Sequence, residues 1–178
     1  MKTGLQRLLC AGLILACGAA LCSCRTNPFA PRLGEGSGSN AVQGDPRTLD
    51  GLFKSFEYAY ATKDTLIYGR LIAAGFTFFY PDYANGGLPV AWARDTEMLA
   101  TLGVFRNAET LDLRWNSIIF QEVSESDLQA KVIRSFRLRI GFGAGDVSEI
   151  TGNANLTLTR TAATDAWQIT EWRDESNF

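Results

Sequence analysis

The sequence predicts an α+β domain, with about three N-terminal helices packed on one face of a curved, mainly antiparallel sheet, behind a leader and a tether. Three observations carry this. Up to about residue 106 the apolar residues mostly recur at helical spacing, whereas beyond residue 110 they alternate with polar ones; helices first and strands afterwards is the order of α+β folds. The first 44 residues differ from both, pairing an apolar, cysteine-bearing stretch with a run of Gly, Ser and Pro. The remaining residues, 45–178, suffice for one core that buries roughly two thirds of its unfolded surface.

The leader comes first. Lys2 and Arg7 are positive, Leu8 to Leu21 are uncharged and apolar, and Leu21-Cys22-Ser23-Cys24 leads directly into polar sequence. Residues 1–23 therefore read as a bacterial lipoprotein signal peptide, with acyl chains, palmitate among them, on the Cys24 thiol and its freed amine as the new N-terminus. The apolar stretch is shorter than the about 20 residues a membrane span needs, and Arg25 follows at once. Two alternatives stay open. Ala20-Leu21-Cys22 loosely resembles an ordinary signal peptidase site, and Cys17 competes for the lipid, although cleavage there would leave the sticky Gly18 to Cys22 segment exposed. Two or three acyl chains hold a protein stably on a membrane, where one does not. The expected place is the cell envelope. In a double-membraned bacterium this means the outer membrane, facing the periplasm, since Arg25 rather than Asp follows the cysteine.

All four cysteines, Cys10, Cys17, Cys22 and Cys24, lie in the leader or at its end, so no disulfide framework is expected in the domain. Removing Lys2 and Arg7 takes the net charge from −2 to −4, and a mildly acidic body argues against nucleic acid as a partner. Residues 24–44 read as the lipidated cysteine and a flexible tether. Asn27-Pro28, Pro31 and Gly34-Glu35-Gly36-Ser37-Gly38-Ser39 hold too little apolar surface to pack, and such a coil spans about 25 Å.

Within the domain, Asp45-Pro46 is expected to start the first helix, with Asp as cap and Pro at the first helical position. Leu49, Leu52, Phe53, Phe56 and Tyr60 then form one apolar face. Asp64 is expected to cap a second helix bearing Leu66, Ile67, Leu71 and Ile72 and ended by Gly75. Phe76 to Tyr80 reads as a strand stopped by Pro81. Ala93 to Arg106 reads as a third helix with Met98, Leu99, Leu102 and Phe105 on its inner side. Four strands follow. Leu111, Leu113 and Trp115 alternate with polar residues in the first, Val132, Phe136, Leu138 and Ile140 in the second, and Leu156 and Leu158 in the third. The last runs from Trp167 to Asp174. Gly141 to Asp146 and Thr164-Asp165 are turns. Trp167 and Trp172 are an odd number apart, so either a bulge intervenes or one is exposed.

Ala59-Tyr60-x-x-Lys63-Asp64, Tyr68 with Leu71 and Phe76, Trp92-x-Arg94-x-x-Glu97 and the ending Trp167-x-Ile169-x-x-Trp172-x-Asp174, taken in this order, resemble the cone-shaped nuclear transport factor 2-like superfamily, and in particular its lipoprotein members of unassigned function. The resemblance covers nearly all of Asp45 to Asp174. It implies a pocket between helices and concave sheet, and a homodimer through the sheet. The superfamily holds isomerases, cyclases and dehydratases as well as binding modules, so fold does not decide function. Tyr60 and Tyr68 match the kind of donor that an isomerase of this fold uses, but no Asp pair matches its pattern.

The chain has no His, which removes Ser-His and Cys-His nucleophiles and, with no Cys in the domain, the usual transition-metal ligands. No cofactor, metal or catalytic residue is expected. Gly141-Phe142-Gly143-Ala144-Gly145 lacks the Lys and helix of a phosphate loop and reads as a hairpin turn; Asn155-Leu156-Thr157 reads as strand. Arg134 shares the parity of Val132 and Phe136. It is a candidate reader of an anionic ligand, with Tyr60, Tyr68, Trp92 and Trp115 as walls for a small apolar or anionic one. A structural ion pair or an outward-turning bulge is favoured over that role. The expected function is a lipid-anchored, non-catalytic ligand-binding or association domain, the alternative an isomerase- or cyclase-like enzyme on an apolar or polycyclic substrate. A pocket of about 300 Å³ or more with two convergent titratable groups would favour the enzyme.

Overall fold

The computed structural model describes residues 42–82 and 86–177; the signal peptide, Cys24 and the tether up to residue 41 lie outside the described residues. In chain order the elements are α1 (Leu49–Thr62), α2 (Thr65–Leu71), β1 (Ile72–Asp82), β2 (Leu88–Ala93), α3 (Arg94–Asn107), β3 (Thr110–Val123), β4 (Gln129–Gly143), β5 (Asp146–Thr159) and β6 (Gln168–Asn177). The strands form one sheet in the order β2-β1-β6-β5-β4-β3. All neighbours are antiparallel except β1 and β6, which run parallel.

The expected apolar face of α1 is the one that packs: Leu52, Phe53 and Phe56 are buried, with Leu49 and Tyr60 partly so. The start differs. Thr48, not Asp45, caps the helix, its hydroxyl accepting from the Gly51 N–H at 3.0 Å. Asp45 is drawn instead into a bidentate pair with Arg47, and its carbonyl takes the Thr48 N–H. At the far end Lys63 adopts a left-handed conformation, φ 56°, in place of the usual glycine. Its ammonium donates to the carbonyls of Ala108 (2.6 Å) and Glu109 (3.0 Å), tying the end of α1 to the chain just beyond α3.

Asp64 caps α2 as its sequence suggests, accepting from the N–H groups of Leu66 and Ile67. The helix ends at Leu71, earlier than expected, and Ile72 opens β1 without a loop. Gly75 lies inside that strand, in an irregularity between Ile72, opposite Ile169, and Thr77, opposite Glu171. Nor does Pro81 stop β1. It faces Pro89 of the unexpected strand β2, and two prolines lacking N–H groups are tolerated at the end of an edge hairpin.

The third helix is present, and its inner face is the expected one only in part: Phe105 is buried and Met98 packs against the core, but two polar residues share that face. Glu97, Thr101 and Phe105 are its buried residues, at helical spacing, while Leu99 is 70% exposed and Met98 and Leu102 are half-buried. The meander follows the expected parity: Leu111, Leu113, Trp115, Val132, Phe136, Leu156 and Leu158 all point into the core. Asp112 and Arg114 pair on the other side at 2.8 Å. The glycine-rich run turns β4 into β5, with Gly143, Ala144 and Gly145 all at positive φ.

The parity conflict of the two tryptophans is resolved by a bulge. Thr157 faces Glu171 and Leu158 faces Ile169, so Thr170 is an extra residue on β6. Trp167 (2% exposed) and Trp172 (9%) are therefore both buried. Phe56 lies at the centre of the core, its ring 5.2 to 5.6 Å from those of Tyr60, Tyr68, Trp115 and Trp172. Burying a side chain of this kind contributes about 1.5–3 kcal/mol.

Candidate functional site

A cavity of about 190 Å³ opens between α1, α3 and the inner face of the sheet. Its walls are mostly aromatic. Phe78 and Trp92, neighbours across the β1–β2 pair, stack at 4.7 Å with planes 12° apart, and Phe56, Trp115 and Trp172 line the other side. Glu97 enters from α3 and Asp174 from β6. No Lys or Arg is among the lining residues.

Glu97 is 6% exposed and fully engaged. One oxygen accepts from the Tyr68 hydroxyl at 2.5 Å and the Thr101 hydroxyl at 3.2 Å; the other accepts from the Trp92 indole N–H at 2.8 Å. The spacing Trp92-x-Arg94-x-x-Glu97 has a mechanical reading. Trp92 ends β2 beside the start of α3, so its indole meets a carboxylate in the first turn, while Arg94 turns the other way and donates to the carbonyls of Gly69 (3.0 Å) and Ile72 (3.4 Å) at the end of α2. Asp174 is less occupied, accepting from the Ser176 hydroxyl at 2.7 Å. Burial raises its pKa above the ordinary value, against the Ser176 hydrogen bonds, with Glu175 and Glu97 adding to the rise.

Burial likewise pushes the phenols of Tyr60 and Tyr68 well above their usual range, helped by the charge of Glu97. Both stay protonated at neutral pH, and the Tyr68 hydroxyl donates to Glu97. The indole N–H groups of Trp115 and Trp172 have no hydrogen-bond partner among the described residues, although both rings are buried and line the cavity. No group of three or more metal-ligating side chains occurs among the described residues.

The expected wall residues meet in part. Tyr60, Trp92 and Trp115 line the cavity. Tyr68 stands behind it, fully buried, and reaches it only through Glu97. Arg134 is elsewhere. Its guanidinium lies 4.7 Å over the Phe53 ring and its Nε donates to the Asn116 carbonyl at 3.2 Å, beside the two register shifts that flank Ile118 on β3. Burial lowers its pKa, with Asp50 and Glu57 opposing. Arg134 thus neither lines the cavity nor faces its carboxyls; stacking and a backbone carbonyl hold it.

Sequence reasoning missed Glu97 and Asp174 as site residues. Asp174 and Ser176 follow Trp172 at steps of two, so strand parity places all three on one face. For Glu97 the signal was the polar pair Glu97 and Thr101 at i, i+4, which a search for apolar stripes passes over.

No protein-family model matches the sequence, and no curated protein matches it significantly. Solved structures do resemble it. A candidate scytalone dehydratase from Novosphingobium aromaticivorans superimposes with a TM-score of 0.59 at 12% identity, over 74% of this chain and 83% of that one. A candidate dehydratase of the nuclear transport factor 2-like family from Streptomyces avermitilis gives 0.56 at 14%, over 71% and 92%. The beta subunit of a candidate aromatic-ring-hydroxylating dioxygenase from N. aromaticivorans gives 0.56 at 11%, over 72% and 86%. Three helices on a curved, mostly antiparallel six-stranded sheet are thus the nuclear transport factor 2-like fold.

Proposed function

We infer that this domain is a non-catalytic small-ligand-binding module, held at a bacterial membrane through lipid on Cys24. One observation carries the binding reading: an aromatic cavity in which Glu97 is consumed by three protein hydrogen bonds, leaving Asp174 as the one carboxyl open to a ligand. A general acid and base need two free groups within reach of one substrate. The cavity, at about 190 Å³, is also small for a polycyclic substrate. Mass spectrometry of the protein released from its native membrane tests this. An unaltered small molecule in stoichiometric amount supports a binder, whereas conversion of that molecule on incubation overturns the non-catalytic part.

A second reading, an acid-base enzyme of the isomerase or dehydratase kind, draws on the raised pKa of the half-buried Asp174, since carboxyls with raised pKa values in clefts serve as proton carriers. Two solved relatives of the fold bear dehydratase names. Asp174→Asn separates the readings: a binder keeps some affinity, whereas an enzyme loses turnover.

The anchor rests on Leu21-Cys22-Ser23-Cys24. Cys24→Ser should yield unprocessed or soluble protein and Cys22→Ser should not; processed, membrane-bound Cys24→Ser protein would refute the assignment. Pairing of two copies through the sheet is supported by Ile118, Ile119 and Phe120, exposed on the edge strand β3. Sedimentation of Phe120→Lys, expected to be monomeric where the parent chain is dimeric, tests it.

A further inference from the structure

We propose that the cavity takes a small organic ammonium ion, an inference that rests on the ligand-binding reading above. Two features converge. The first is an imbalance of charge: two carboxyls line the space and no cationic side chain does. The nearby arginines are engaged elsewhere. Arg94 is spent on the carbonyls of Gly69 and Ile72, Arg134 lies over Phe53, and Arg173 lies over Phe79. Carboxylates withdrawn from water are ordinarily paired with a positive group, and here the chain supplies only neutral donors to the buried Glu97 and a hydroxyl to the half-buried Asp174.

The second feature is the wall. Trp92, Trp115, Trp172, Phe56 and Phe78 surround the carboxyls, and an aromatic face attracts a cation through its quadrupole, indole most strongly. Aromatic rings around an acidic group suit an alkylated ammonium and offer little to a metal ion, which needs several oxygen, nitrogen or sulfur ligands. An anion would meet two carboxyls, and a hydrocarbon would leave their charge unanswered.

The test is titration calorimetry on the full lipidated chain in a sugar-headed detergent. The probes are choline, its neutral carbon isostere 3,3-dimethylbutan-1-ol, and benzyl alcohol. Choline should bind at least about tenfold more tightly than the isostere, the cation's share of the aromatic contact. Asp174→Asn, which keeps an oxygen for the Ser176 hydroxyl, should weaken choline about tenfold or more and leave the isostere unchanged. Isostere or benzyl alcohol binding as well as choline does, or better, would overturn the cation while leaving the ligand-binding reading in place. Failure of all three probes would overturn both. Choline binding unaffected by Asp174→Asn would remove the carboxyl from recognition and overturn the proposal as stated.

Discussion

Tyr68→Phe removes a single oxygen atom from the middle of the molecule. The ring keeps its edge contacts with Phe56 (5.2 Å), Tyr60 (5.9 Å) and Phe105 (6.3 Å), so packing is unchanged and only the hydrogen bond to Glu97 is lost. Hydrogen bonds to charged groups contribute about 1.5–3 kcal/mol. The Glu97 oxygen concerned still accepts from Thr101 at 3.2 Å and is not orphaned, which places the cost near the middle of that range, about 2 kcal/mol. For a domain of this size the melting temperature should fall by roughly 6–10 °C. Stability alone would not identify the partner, so the measurement is a double-mutant cycle with Glu97→Gln, read by thermal or urea unfolding at pH 7. A coupling of about 1–2 kcal/mol is expected for directly bonded neighbours. The reasoning would be falsified if the two substitutions were additive, because Tyr68 and Glu97 would then lose their stability independently.

The remaining expectations concern charge, clearance and closure. Asp174 has a raised pKa in the folded state, so it binds its proton more tightly there than in the unfolded chain, where about 3.8 applies. Its contribution is fully present below that value and is lost as pH rises through the folded pKa. Asp174→Asn should therefore raise the melting temperature at pH 7 relative to the parent, and the gain should vanish near pH 3; a gain that grows on acidification would contradict this. Gly152→Ala should destabilise the domain by about 1–3 kcal/mol or more, since an added Cβ would sit 2.3 Å from the Ser176 Cα and 2.7 Å from the Glu175 carbonyl, both backbone atoms that cannot step aside. Urea unfolding decides it, and an unchanged midpoint would mean that β5 and β6 are less closely coiled than described. Removal of residues 168–177 should abolish cooperative unfolding, because β6 joins β1 to β5. A sharp melting transition in the shortened chain would refute that.

Much of this fold can be read from residue order, and the exceptions share a cause. The α1 face and the meander are legible because their buried residues are also their apolar ones, so periodicity and burial coincide at Leu52, Phe56, Leu113 and Leu156. They diverge in α3. There a carboxylate and a hydroxyl occupy the inner face and Leu99 the outer, because Tyr68 and Trp92 supply donors from elements far away in sequence. No local pattern encodes that. The strand β2 escapes for a related reason: Val90 and Trp92 are half-buried and alternate with exposed Ala91 and Ala93, but all six residues are apolar, so no polar position marks the alternation in the sequence. Arg134 shows the limit of parity. Its register position points inward, yet the shifts around Ile118 displace the partner strand, and the side chain settles on Phe53 at the margin of the core.

The placement of β6 also governs when the molecule can exist at all. As the chain emerges, α1 to α3 with the β1–β2 hairpin can gather first, and β3 to β5 can pair afterwards, but each assembly presents an unfilled strand edge toward the other. Only Gln168–Asn177 fills both, parallel on one side and antiparallel on the other, and it comes at the end of the described chain. Pairing β1 with β6 closes a loop of nearly a hundred residues, the kind of distant contact that slows folding. β6 must thus have been made before the cavity has a floor, and until then the chain remains without its finished sheet.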